Sequence, residues 1–166
     1  MKQAKRYISA ILLTVIMLFG TTGCTSKSSQ INDTLSEFEY ACQNLDVNAI
    51  LKCIDPDISN PIRLGLAIFS TIADADYEDI VDGLFDNISS LEFDFDFNAK
   101  EFLRTISITD TEVKAKKNTA VVTCKAGFEL AGEYFDKYAE IDMIKKDEKW
   151  YISSLDFLMT ADMFEE

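Results

Sequence analysis

The chain has 166 residues, 29 of them acidic against 16 basic, with no histidine, a formal charge of −13 and 48% hydrophobic residues. So acidic a chain is excluded as a nucleic-acid binder, because phosphates must be neutralised by Lys and Arg. The absence of histidine removes the imidazole on which most zinc sites and many acid–base pairs depend.

The chain opens on Lys2, Lys5 and Arg6, followed by a mostly apolar run of 13 residues from Tyr7 to Phe19. A spanning helix needs about 20 apolar residues, so the run has the layout of an export signal. The small residues Thr22 and Gly23 before Cys24 resemble the lipobox of bacterial lipoproteins, in which the signal is cut ahead of the cysteine and its sulfur takes diacylglycerol. That resemblance implies a lipoprotein signal peptide over 1–23, lipid attachment at Cys24, a polar tether over 24–30 and a single domain over 31–166. It also implies a protein held at the extracytoplasmic face of the cell membrane, with membrane lipid as a partner through the acyl anchor. Removal of residues 1–23 leaves 143, and the loss of Lys2, Lys5 and Arg6 takes the formal charge from −13 to −16.

Beyond the tether, Thr34 and Glu37 have capping-box spacing, which predicts a helix from about Asp33 with Leu35, Phe38, Ala41 and Cys42 on one face. Asp46 is placed to cap a second helix, whose Val47, Ile50, Leu51 and Ile54 repeat at helical spacing until Pro56. Pro61 suits the first position of a third helix, apolar almost all round through Ile62, Leu64, Leu66, Ile68, Phe69 and Ile72 and therefore expected to be buried. A fourth, over about Tyr77–Ile88, sets Ile80, Val81, Leu84, Phe85 and Ile88 against a solvated acidic face.

At Leu91 the period changes from 3.6 to 2. Leu91, Phe93, Phe95 and Phe97 alternate with Glu92, Asp94 and Asp96, as in a half-buried strand. Ile106 and Ile108 fall on even positions but Val113 and Ala115 on odd ones, which predicts a bulge around Asp110–Glu112. Alternation through Ala120–Leu130, Phe135–Met143 and Trp150–Ile152, with short turns between, predicts an antiparallel meander. The fold class expected is therefore α+β, with N-terminal helices on a curved antiparallel sheet of four to six strands.

The stretches Asn118–Val122 and Lys145–Ile152, with the helix pair Ala41–Pro56, resemble the nuclear transport factor 2-like (NTF2-like) superfamily. The resemblance implies a cone, a bent sheet wrapped round a helix, whose open end is a pocket in some members. Phe38, Phe69, Phe128 and Trp150 are the candidates for lining such a pocket.

Nothing in the chain marks a catalytic residue, a metal ligand or a cofactor. The acidic run at Asp74–Phe85 lacks the glycine and the final glutamate of a calcium loop, and no Gly-rich phosphate cradle occurs. Cys42, Cys53 and Cys124 are an odd set, with a Cys42–Cys53 bridge left open. The function expected is a membrane-tethered, non-enzymatic binding or interaction domain for a protein or small apolar ligand, through the cone or the outer sheet face. The alternatives are an isomerase- or dehydratase-like enzyme using an Asp/Tyr pair, and a homodimer formed through the sheet. Two of Tyr134, Tyr138 and Tyr151 sharing the outer face of the sheet would favour a partner-binding surface there.

Overall fold

A computed structural model describes residues 26–73, 75–89, 98–130 and 132–155. Residues 1–25, with Cys24 and the whole signal-like segment, lie outside the described residues, as does the alternating stretch 91–97.

Helix α1 runs over Lys27–Gln43. It starts well before Asp33 because Ser26 caps it, the hydroxyl accepting from the Ser29 amide at 3.1 Å. Thr34 is consequently inside the helix; its hydroxyl donates to the Gln30 carbonyl and, at 3.3 Å, to the Trp150 carbonyl of the sheet. Ile31, Leu35, Phe38 and Cys42 repeat along one helical face, and all are buried. The chain then turns through Leu45, which holds a positive φ of 57°, into α2, Val47–Cys53. Asp46 caps α2 as its spacing predicts, accepting from the Ala49 amide at 2.9 Å.

Helix α3 is Pro56–Ala73 and takes in both prolines. Its start is set by Asp55, whose carboxylate accepts the Asp57 amide at 2.9 Å while its carbonyl accepts the Ser59 amide. Pro56 therefore begins α3, where a missing N–H costs nothing. Helix α4 covers Tyr77–Ser89 and α5 Ala99–Thr105, the latter capped by Asn98 through the amides of Lys100 and Glu101.

Four strands follow: β1 Ser107–Ala115, β2 Thr119–Leu130, β3 Glu133–Lys146 and β4 Lys149–Ile152. They pair antiparallel in the order β1-β2-β3-β4. The β1–β2 register shifts between Thr109 and Glu112, with Asp110 at φ 51°, so one residue is absorbed where the parity of the apolar positions changes. Asp147 and Glu148, both at positive φ, form the tight β3–β4 turn.

The inner face of the sheet meets α1. Ala120, Val122, Cys124, Phe128 and Leu130 of β2, Ile141 and Met143 of β3 and Trp150 and Ile152 of β4 pack with Ile31, Leu35, Phe38, Cys42, Cys53 and Ile106 in one core. A smaller cluster of Val81, Phe85 and Ala99 seats α4 on the Leu45–Val47 turn and on Leu103 of α5.

The NTF2-like cone expected from the sequence is corrected by this architecture. Among the described residues there are five helices and one four-stranded sheet in consecutive order, and the sheet does not close on itself. Where a cone would hold a cavity, the side chains of α1 fill the inner face. The lipoprotein reading is corrected as well. No helix among the described residues is long and apolar enough to cross a membrane, and the membrane-lipid partner, the membrane tether and the extracytoplasmic address have no support among those residues.

The third helix departs furthest from its sequence pattern. It was expected to be buried, yet only Ser59 of α3 is buried. Leu64 is 62%, Phe69 58% and Ile72 78% exposed.

Candidate functional site

Helices α3 and α4 lie side by side, joined by a turn in which the Ser70 hydroxyl donates to the Ala75 carbonyl at 2.9 Å. Between them runs an open groove of about 480 Å³. Leu66, Phe69 and Ala73 form its α3 wall, and Ile80, Leu84, Gly83, Asp79 and Asn87 its α4 wall. The α4 residues recur at i, i+1, i+4, i+5 and i+8, one helical stripe, while Val81 and Phe85 on the other side are buried in the small core. α4 is therefore amphipathic in an unusual sense, apolar on two sides and acidic in between.

Gly83 sits in the middle of α4, where glycine costs about 1 kcal/mol relative to alanine. A Cβ added there would meet nothing within 4 Å. Packing within the chain thus gives no reason for the glycine, and its effect is to leave the floor of the groove open to close approach. From Leu64 to Ala73 the neighbouring helix carries no charged residue. Ile62, Leu64, Ile68, Phe69 and Ile72 extend the groove into an exposed apolar face of the kind that marks interaction surfaces.

The electrostatics of the hairpin are uneven. Lys100 of α5 bridges Asp82 and Asp86, each at 3.1 Å, and the two carboxylates raise its pKa above that of an ordinary lysine. Asp79 lines the groove, is exposed, and forms no ion pair among the described residues.

The four residues expected to line a pocket do not line one together. Phe38, Phe128 and Trp150 lie in the main core, Trp150 only 1% exposed and its Nε1–H without an acceptor among the described residues. Phe128 packs between Phe102 and Phe135, with ring centroids 5.0 and 5.9 Å away. Phe69 alone reaches an open site.

Tyr134, Tyr138 and Tyr151 do share the outer face of the sheet, since Phe135, Ile141 and Trp150 take the inner one. They do not make a continuous aromatic surface. Tyr134 lies across Gly127 with its hydroxyl 3.2 Å from Ser107 Oγ, and a Lys125–Asp136 ion pair stands between it and Tyr138.

A second depression, about 420 Å³, is lined by the Asn44–Asn48 turn with Glu78 and Asp82. Among the described residues, no group of three or more His, Cys, Asp or Glu side chains is arranged to hold a metal ion. Cys42, Cys53 and Cys124 are free and buried. Burial pushes the Cys42 thiol up to about 12, with Cys53 and Glu39 adding to it, and pushes Cys53 and Cys124 to about 11. Thiols so held are protonated at neutral pH and are not nucleophiles.

Sequence patterning missed the groove because it assigned Leu66, Ile80 and Leu84 to the core and Asp79 to a solvated face. The one usable signal was Gly83, a helix-interior glycine within an otherwise regular apolar repeat.

No family model matches this chain. No curated protein matches it either. Among solved structures, it is similar to the solution structure of a SEC-C motif containing protein from Rhodopseudomonas palustris, at 16% identity over 84% of each chain, with a TM-score of 0.42. A likeness that slight carries no argument about function, and these comparisons lend no support to the lipoprotein and NTF2-like resemblances.

Proposed function

We propose that the protein is a docking module that holds an amphipathic helix of another protein in the groove between α3 and α4. The observation that carries this reading is the apolar, uncharged and exposed Leu64–Ala73 face beside a groove whose floor is a glycine without internal purpose. Recognition of this kind lays a helix's i, i+3, i+4 and i+7 side chains into an apolar trough, and close approach of the two backbones requires a small residue beneath. The α4 wall, from Asp79 to Asn87, rises about 12 Å at 1.5 Å per residue, which accommodates roughly two turns of a guest helix. This reading replaces the cone pocket, because the described sheet is open and its inner face is filled.

The test is a titration of the full-length chain with a synthetic amphipathic peptide of about five turns, leucine on one face and glutamine elsewhere. Saturable binding is expected, and it should be lost in Gly83→Trp, which fills the groove, and in Phe69→Ser, which removes its wall. Binding that survives both substitutions would place the peptide elsewhere and refute the proposal.

A further inference from the structure

We infer that the helix held in the groove is a basic one, placing a lysine or arginine against Asp79. The inference rests on the docking reading above and adds the chemistry of the partner. Among the described residues that line the groove, Asp79 is the one with an ionisable side chain, standing among Leu66, Phe69, Ile80 and Leu84. Its neighbours on α4, Asp82 and Asp86, are already bridged by Lys100, whereas Asp79 has no cation among the described residues. The dipole of α4 favours an acidic residue in its first turn, but Glu78 in the same turn meets that preference from outside the groove, facing the second depression. An apolar guest laid over Asp79 would strip water from a carboxylate and return nothing, and an acidic guest would add repulsion. A cationic side chain converts the same desolvation into a charge-assisted hydrogen bond. The surrounding field has the same sign, since the chain carries a formal charge of −13.

The experiment compares three synthetic helices with one leucine face and lysine, glutamine or glutamate along its borders, each titrated into the full-length chain. The lysine peptide is expected to bind about tenfold more tightly than the glutamine peptide at low salt, the scale of one hydrogen bond to a charged group. That preference should shrink at about 0.5 M salt, where screening acts within a few ångströms. Asp79→Asn should abolish the preference while leaving the glutamine peptide bound, and Glu140→Gln, on the outer sheet face, should leave the preference intact. A lysine preference that persists in Asp79→Asn overturns the inference. Equal binding of all three peptides, still blocked by Gly83→Trp, overturns it too but leaves the docking reading standing. If no peptide binds, both fall. If light scattering shows a dimer that Gly83→Trp converts to monomer, a second copy fills the groove and the basic partner is refuted.

Discussion

Asp55 and Lys146 join the two halves of the molecule. The lysine at the end of β3 donates to the carboxylates of Asp55 and Asp57, each at 2.6 Å, and so ties the start of α3 to the sheet. Burial pushes the Asp55 carboxyl up, but the Lys146 ammonium and the Asp57 amide outweigh it and hold the group below its ordinary value. The same two carboxylates hold the Lys146 pKa above that of an ordinary lysine. A carboxylate whose pKa is lower folded than unfolded contributes stability above the unfolded value and loses it as pH falls through the folded one. The raised lysine contributes below its unfolded value, near 10.4, and loses that contribution as pH rises through its folded value. Urea unfolding of wild type and Lys146→Met should therefore differ most between about pH 5 and 9 and converge on the acid side below the unfolded Asp value of about 3.9. A stability gap that is undiminished at the acid end would show that Lys146 acts through packing alone.

At the scale of the element, agreement with sequence depends on whether the pattern was local. The Asp46 cap, the alternation of β2 and the bulge at Asp110 were all legible, because each follows from neighbouring residues acting on one another. The start of α1 was not, since Ser26 and Thr34 compete as caps and the Thr34 hydroxyl is taken by a carbonyl of β4, far away in sequence. α5 had no usable period in its seven residues and was missed. Gly83 gives the sharpest test at this scale. Gly83→Ala should raise stability by about 1 kcal/mol, because it removes backbone freedom from the unfolded chain and its methyl meets no neighbour. A thermal melt checks it, and a loss of stability would mean that the glycine serves packing within the chain after all.

Over the whole molecule, stability is unevenly distributed. The main core joins α1 to the sheet, a small cluster holds α4, and α3 is tied down chiefly by its first turn and by its contact with α4. Regions with few buried apolar contacts open at the least cost. Hydrogen exchange should accordingly release the amides of Leu64–Ala73 well before those of β2 and β3, and bound peptide should slow α3 specifically. Simultaneous exchange of α3 and the sheet would show a single cooperative unit and a better-packed hairpin than the exposed side chains indicate.

By itself the amino-acid order determined the succession of helices and antiparallel strands, the acidic character and the absence of histidine chemistry, because periodicity, capping and charge are properties of short stretches. Only the tertiary structure decided which apolar faces meet each other. Leu35 on α1 and Ile68 on α3 are indistinguishable as members of a helical stripe, yet one lies in the core and the other in solvent. Hydrophobic burial is non-directional and needs an opposing surface. The sheet's inner face could accept α1, and with that face filled the sheet stayed open and α3 was left with its apolar side outward.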